Sequence, residues 1–199
     1  MTPLSQLEVL VVDCQATAPR GHLLEIGWAR VSDTVTHSHA CLIALPAAER
    51  IPPAVTRITG ISAYMLRSAV DGRHAWSELS DQAASLTQQP APTVIHFAQF
   101  EQPFLRTLGA GLFPLDVVCT RDIARRLLPD LPRCSLRALA GYFGRAVGAL
   151  RRSADHVEAT AFVWQALVRL LETKGVSTWS ALHDWLAAPV EPVRHRRRV

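Results

Sequence analysis

Short apolar runs rich in β-branched residues open the chain, and longer segments with apolar residues at helical spacing follow them. The first runs lie at 7–17, 22–31 and 34–45, with a turn at 18–21 and a hairpin turn at 32–33. Apolar runs of this length, bounded by turn residues, are typical of strands. Because the connections are short, we expect the three strands to pair antiparallel as a meander.

The rest of the chain predicts two more strands among a series of helices. The strands lie at 93–97 and 116–119, and the helices at 54–59, 76–86, 99–108, 120–128, 136–143, 154–171 and 177–187. Gly60 is expected to close the first helix, and Thr120, Ser135 and Ser177 to begin three others. Three strands followed by alternating helices and strands predict an α/β domain with a mixed sheet flanked by helices.

The composition, with 49% hydrophobic and 19% charged residues, is that of a soluble globular protein. We place one domain at 1–187 and a basic, Pro- and Arg-rich tail or linker at 188–199. No apolar run reaches the roughly 18 residues of a membrane span, and the first residues lack the features of a signal peptide. We therefore expect a cytoplasmic protein without a membrane partner. Four scattered cysteines without a CxxC pair argue against a zinc site and a disulfide framework.

The basic residues are almost all arginines, and Lys174 is the only lysine. Arginine binds phosphate groups with a planar fork of donors, so its predominance fits a nucleic-acid partner. The formal net charge is only +4, and part of the excess lies in the tail at 194–198. The charge balance is therefore compatible with nucleic-acid binding without demonstrating it.

Acidic and imidazole side chains stand at the ends of predicted elements. Asp13 ends the first strand, Glu101 follows the strand at 93–97, and Asp155 and His156 begin the long helix. Strand ends and helix starts tend to meet at one edge of a sheet, where these groups would form a divalent-metal site. Each acid also has a structural interpretation, as a turn residue or as a charge at a helix N-terminus.

One further acid, Glu25, lies inside the second predicted strand beside apolar neighbours. We expect it to be an edge or outward-facing charge, and a role in the site is the alternative.

Three short motifs stand in order along the chain. Residues 13–18 read Asp-Cys-Gln-Ala-Thr-Ala, residues 96–105 read His-Phe-Ala-Gln-Phe-Glu-Gln-Pro-Phe-Leu, and the third motif falls on 151–160. In order and spacing they resemble the DEDDh proofreading exonucleases, whose motifs read Asp-x-Glu-Thr-Thr-Gly, His-Asn-x-x-Phe-Asp-x-x-Phe-Leu and His-x-Ala-x-x-Asp-Ala-x-Ala-Thr. A Pro-rich turn at 51–61 also matches. The resemblance runs from about residue 7 to 172 and implies the ribonuclease-H-like fold.

The resemblance implies four carboxylates that hold two Mg²⁺ ions about 3.5–4 Å apart, and a histidine as general base. Asp13 aligns with the first acid of the family. Glu101 aligns with the third, where the family has aspartate, and its side chain is one methylene longer. The second acid is replaced by Gln15, the fourth by His156 and the base by Arg151, which cannot accept a proton. The aligned side chains carry a charge of −2, where the four carboxylates of the family carry −4, so we expect weakened Mg²⁺ binding.

The implied catalytic positions are Asp13, Gln15, Glu101 and His156, and Asp13, Glu101 and His156 are the implied metal ligands. The ion would be Mg²⁺ or Mn²⁺ if the site is active, and the alternative is no ion. A shift of one residue would instead bring Asp155 into the site and leave His156 as a base. The implied substrate contacts are Arg151, Arg152, Thr17 and His96.

The implied partners are single-stranded DNA or 3′ ends, in DNA repair or replication, and a polymerase or a GIY-YIG endonuclease domain, which similar domains precede. Three functions stay open. The first is a nucleic-acid-binding domain with weakened or lost phosphodiester hydrolysis. The second is an active 3′→5′ exonuclease with a rebuilt metal site, and the third is a non-catalytic domain that docks onto a partner.

Overall fold

The computed structural model describes residues 2–32, 38–110 and 114–189. A mixed sheet of five strands in the order β3-β2-β1-β4-β5 runs through these residues. The strands are β1 (Val9–Ala16), β2 (Leu23–Val31), β3 (His39–Leu42), β4 (Ala91–Ile95) and β5 (Leu115–Cys119). The first three pair antiparallel, whereas β4 lies parallel to both β1 and β5. The predicted meander and the predicted α/β architecture are confirmed.

Helices cover both faces of the sheet. They are α1 (Pro53–Thr59), α2 (Gly72–Ala84), α3 (Ala98–Leu108), α4 (Thr120–Leu127), α5 (Leu136–Tyr142), α6 (Ser153–Thr173) and α7 (Trp179–Ala187). None of the described helices combines the length and the apolar composition that a membrane span requires.

Side-chain alternation along β1 divides the core into two layers. Val9 and Val11 face α4, α5 and α6, whereas Leu10 and Val12 face α2 and α3. Because successive side chains of a strand point to opposite faces, Asp13 lies on the α6 face. The alternation that buries the core therefore also directs the first acid toward the start of the long helix.

The parallel pairing of β1 with β4 ends at the pair Val12 and Ile95, while β1 continues along β2 as far as Ala16. The chain of β4 then turns into α3. Asp13 is thus inside β1 rather than after it, at the point where one of its two neighbouring strands leaves the sheet. This notch at the carboxyl end of parallel strands is where α/β sheets place their ligands.

Several predicted boundaries change. The strand expected at 34–45 is limited to His39–Leu42, and positions 33–37, including Asp33 of the predicted hairpin turn, lie outside the described residues. Helix α2 begins at Gly72, before the predicted residue 76, because the carboxylate of Asp71 accepts the amide of Arg73. Of the tail predicted at 188–199, only 188 and 189 belong to the described part of the chain.

Capping predictions have mixed outcomes. Gly60 ends α1 at a φ of 73°, and the Ser135 hydroxyl accepts the amide of Ala138 at the start of α5, both as predicted. Helix α7 is capped by Thr178 and not by the predicted Ser177. The predicted cap at Thr120 is wrong: Cys119 is the N-cap residue of α4, and the buried hydroxyl of Thr120 lies beside the His96 ring instead.

Candidate active site

The N-terminus of α6 packs directly on β2, and this contact brings His156 to Asp13. A Cβ atom placed on Gly27 would lie 2.7 Å from the Cβ of Ser153, so only glycine permits this approach. One turn along the helix, the Nδ1 atom of His156 lies 3.3 Å from the Oδ1 atom of Asp13. Two predicted site residues that are 143 positions apart by their numbers, 156 and 13, therefore meet.

The second oxygen of Asp13 is also occupied. Its Oδ2 atom accepts a hydrogen bond of 2.9 Å from the Nε2 atom of Gln15, which lies on the same face of β1. Asp13 is only 5% exposed. Burial raises the pKa of Asp13, while the hydrogen bond and charge of His156 and the hydrogen bond of Gln15 oppose that rise. Both oxygens of this carboxylate are thus held by protein groups.

Glu101 is the second buried acid of the notch. It stands in the first turn of α3, is 3% exposed, and its Oε2 atom has no hydrogen-bond partner among the described residues. Burial raises the pKa of Glu101 well above its usual range, and the charges of Asp13 and Cys119 raise it further. A hydrogen bond from the backbone of Cys14 opposes this shift. The protonated form of Glu101 is therefore favoured.

Two histidines of the site have opposite pKa shifts. Burial lowers the pKa of His156, but the hydrogen bond and charge of Asp13 together with smaller contributions outweigh it, and the net shift is upward. Burial, followed by the charges of Arg121 and His156, lowers the pKa of His96 to about 4. The Nδ1 atom of His96 lies 2.9 Å from the Oγ1 atom of Thr120. His96 is thus a neutral ring held by a hydroxyl.

The expectation that Glu25 faces outward is wrong. Its side chain is fully buried, and it accepts hydrogen bonds from the guanidinium of Arg152 and, at 2.8 Å, from the amide of Ser153. The cause is the docking of α6, which places its first residues over β2. The guanidinium of Arg152 is thus paired with Glu25, and the phosphate contact expected at this residue stays a prediction.

Two more predicted residues have structural roles. The Oδ2 atom of Asp155 accepts the backbone amides of Arg151 and Arg152 at 3.2 and 3.1 Å, which caps α6. The alternative register that brings Asp155 into the notch therefore does not fit this structure. The Oγ1 atom of Thr17 accepts the amide of His22 at 2.8 Å in the turn between β1 and β2. The side chain of Arg151, just before α6, is exposed.

The donor set of the notch does not fit a pair of Mg²⁺ ions. Within the described ranges, no three side chains of the His, Cys, Asp and Glu types are arranged to hold a metal ion. Asp13 already accepts from Gln15 and approaches His156, which leaves the orphaned Oε2 atom of Glu101 as the acceptor without a partner. Two Mg²⁺ ions require several more oxygen ligands and negative charges than this.

A basic cavity that the sequence analysis missed opens beside the notch. It has a volume of about 980 Å³, and His96 and His156 form part of its wall. Four arginines and no acidic residue line it: Arg121, Arg125, Arg133 and Arg137. A sequence signal existed for two of them, because positions 121 and 125 are four residues apart and share one face of α4.

These arginines differ in how they are held. The guanidinium of Arg137 donates to the carbonyls of Val147 and Gly148, and that of Arg121 lies 4.4 Å from the ring centre of Phe97. The side chains of Arg125 and Arg133 make no hydrogen bond or ion pair in the part of the chain that the structure describes, and both are exposed. The cavity therefore combines two fixed and two available cations, a suitable arrangement for phosphate groups.

Comparison with known proteins shows a similarity to exonucleases in sequence and in fold. No protein-family model matches the chain. A protein of Mycobacterium tuberculosis (strain CDC 1551 / Oshkosh), named provisionally as a bifunctional exonuclease/endonuclease, is 27% identical over 209 residues. The alignment covers 98% of this chain and 32% of that protein. The chain thus spans about a third of the length of this relative.

Solved exonuclease structures share the fold. Exonuclease X in complex with 5′ overhanging duplex DNA has a TM-score of 0.66 at 19% identity, over 89% of this chain and 99% of that one. The zinc ion bound form of the E. coli exonuclease I complex with single-stranded DNA has a TM-score of 0.67 at 14% identity, over 90% of this chain and 42% of that one. The nuclease domain of 3′hExo, a DEDDh family member bound to rAMP, has a TM-score of 0.66 at 12% identity, over 84% of this chain and 93% of that one. The predicted fold and its resemblance to these exonucleases are confirmed.

Proposed function

We propose that this domain binds the 3′ end of single-stranded DNA in an exonuclease-type groove, and that it hydrolyses phosphodiester bonds weakly or not at all. The observation that carries the proposal is the state of Asp13. Its two oxygens contact the Gln15 amide and the His156 ring, where a metal-dependent nuclease of this fold needs them for ions.

The electrostatics of the notch supports this proposal. A buried carboxylate requires a compensating partner, and removing such a partner costs about 3–5 kcal/mol. Here the ring of His156, whose pKa is shifted upward, contacts one oxygen of Asp13, and Gln15 donates a hydrogen bond to the other. A cation that entered the notch would displace both interactions. At the position of the general base, Arg151 retains its proton at any usable pH, so it cannot activate a water molecule.

The arginine-lined cavity supports binding to the DNA backbone. Its cations lie beside His96 and His156, next to the notch where a 3′ end would be held. Arginine forms charge-assisted hydrogen bonds with phosphate oxygens, and for single strands each phosphate contact adds about −0.7 to the slope of log K against log salt. Available cations such as Arg125 and Arg133 therefore give a salt-dependent affinity without any metal.

The longer relative supports a proposal about partners. Its name joins an exonuclease to an endonuclease, and this chain matches about a third of it. We propose that the domain works beside an endonuclease domain in DNA repair, where it holds a displaced strand end while the partner cuts. A polymerase partner in replication is the alternative that co-purification would distinguish.

The test measures binding and cleavage separately. Fluorescence anisotropy with a 5′-labelled 16-nucleotide single strand gives the affinity in EDTA, in MgCl₂ and in MnCl₂. A gel of the same strand reports shortening from the 3′ end. We expect equal affinity in EDTA and in Mg²⁺, and an intact strand. A variant with Gln15→Glu, His156→Asp and Arg151→His restores the missing acids and base, and should gain Mg²⁺-dependent shortening.

Two results would overturn the proposal. Shortening of the strand by the unmodified protein with Mg²⁺ or Mn²⁺, abolished by Asp13→Ala, would identify an active exonuclease with a rebuilt site. If the unmodified protein binds no strand in any buffer, while its circular dichroism spectrum shows that it is folded, a domain that docks onto a protein partner would be favoured.

A further inference from the structure

Phe97 is an exposed aromatic residue in a strained backbone conformation. It has a φ of 69° and a ψ of 51°, in the left-handed region, and its side chain is 41% exposed. A bulky residue in this region is a genuine outlier that costs about 1–3 kcal/mol. The motif that this segment resembles has asparagine here, which tolerates the left-handed region better. A residue that is unfavourable both for the backbone and for exposure requires another reason.

Two cavities share Phe97 in their walls. The Phe97 ring lines the arginine-rich cavity described above and also a second cavity of about 900 Å³, whose wall includes the side chains of Phe100 and Phe104. Its plane is within 4° of that of Phe100, with ring centres 6.4 Å apart. Phe104 meets Phe100 edge to face at 5.4 Å. An aromatic surface thus begins at Phe97 and continues into the second cavity.

A cation also lies close to this ring. The guanidinium carbon of Arg121 lies 4.4 Å from the centre of the Phe97 ring, and Arg121 also lines the arginine-rich cavity. Positive charge for a backbone and an aromatic surface for bases therefore meet at one residue. Grooves that bind single strands without base pairing combine these same two elements.

We infer that Phe97 is a stacking platform for a nucleobase, with the phosphates of that strand in the arginine-rich cavity. This inference rests on the proposed function and adds the residue that would make binding depend on bases as well as on charge. The second cavity is within the volume range of small-molecule sites, about 300–1,000 Å³, and its aromatic wall suits the flat ring of a base.

The test uses Phe97→Asn, because asparagine adopts the left-handed conformation and removes only the ring. Affinity is measured by anisotropy for an intact 16-nucleotide strand and for the same strand with abasic sites in its last three positions. We expect Phe97→Asn to weaken binding of the intact strand about 5-fold or more, the equivalent of 1 kcal/mol for one stacked base. The abasic strand should bind the variant and the unmodified protein equally, and Phe97→Trp should retain affinity.

Tyr64→Ala is the matched control. Tyr64 is 73% exposed and has the guanidinium of Arg67 3.8 Å from its ring centre, but it lines neither cavity. Its loss should leave both affinities unchanged.

Three outcomes would overturn the inference. Equal binding of the intact strand by Phe97→Asn and the unmodified protein would remove Phe97 from the site and leave the proposed function standing. An equal loss on the intact and abasic strands would assign Phe97 a structural role. If the unmodified protein binds no single strand, the proposed function fails and the inference fails with it.

Discussion

Replacing Glu101 by glutamine should stabilise this protein at neutral pH. Glu101 is buried, one of its oxygens has no hydrogen-bond partner among the described residues, and it lies close enough to Asp13 for the two charges to interact. A buried, unsatisfied polar atom costs about 1–3 kcal/mol, and more when it is charged. Glutamine has nearly the same shape but no group that ionises, so at neutral pH the variant avoids both the buried charge and the proton uptake that Glu101 requires and should regain an energy of this order.

The gain should depend on pH with a definite sign. Burial raises the pKa of Glu101 in the folded state above its value in the unfolded state. The folded protein therefore binds this proton more tightly, so its stability is highest below the unfolded pKa and falls as pH rises toward the folded pKa. Glutamine does not titrate. The difference between Glu101→Gln and the unmodified protein should be near zero at about pH 4 and increase toward pH 8.

Thermal unfolding followed by circular dichroism at several pH values measures this difference. For a chain of this size, 1 kcal/mol corresponds to about 2–4 °C, so a gain of about 2 kcal/mol predicts a Tm about 4–8 °C higher at pH 7.5. Glu158→Gln, an exposed change of the same charge in α6, is the control and should move Tm little. A variant that is no more stable at pH 7.5, or a gain that is the same at every pH, would refute the reasoning.

Three further predictions concern the surroundings of the notch. Arg152→Met leaves the buried carboxylate of Glu25 without its cation and should destabilise the domain by about 3–5 kcal/mol in urea, whereas the exposed Arg151→Met should cost under about 0.5 kcal/mol. Arg125→Gln and Arg133→Gln should each weaken single-strand binding and make the slope of log K against log salt shallower by about 0.7. Anisotropy measured from about 50 to about 300 mM NaCl gives this slope. Burial lowers the pKa of His96 to about 4, so its neutral form supports folding above about pH 6.5. As the pH falls toward 4, the free energy of unfolding should decrease by up to about 3 kcal/mol. The His96→Gln variant should show a smaller decrease in the same pH titration.

Local rules of sequence predicted most of the fold. The strands, the glycine that ends α1 and the serine that begins α5 depend on residues within a few positions. All five strands form, with the third shortened to His39–Leu42 and the fourth shifted to Ala91–Ile95, and both capping residues stand where the pattern places them. The exceptions arise from contacts at a distance. Thr120 has the residue type of a helix cap, but its hydroxyl lies beside the imidazole of His96, which belongs to a different strand end.

The candidate site was only partly predictable for the same reason. The positions of Asp13, Glu101 and His156 follow from motif spacing, and the fold brings them to one notch. Glu25 could not be interpreted from its neighbours, because its partner is Arg152, 127 residues away along the chain. The arginine-rich cavity likewise joins α4 to the loop before α5, so that it becomes visible only when both are folded.

The substitutions at positions 15 and 156 are best understood as one change. In the two-metal exonuclease sites that this site resembles, metal ions compensate the buried acids; here the Gln15 amide and the His156 ring contact Asp13 instead. Introducing glutamate at position 15 alone would place a third carboxylate beside Asp13 and Glu101 with no added cation, and the domain should then lose stability in EDTA. The single substitution His156→Asp would replace the imidazole partner of Asp13 by another acid, with a similar effect. A notch without metal and a notch with two ions are therefore each self-consistent, whereas the single-substitution intermediates between them lack charge balance.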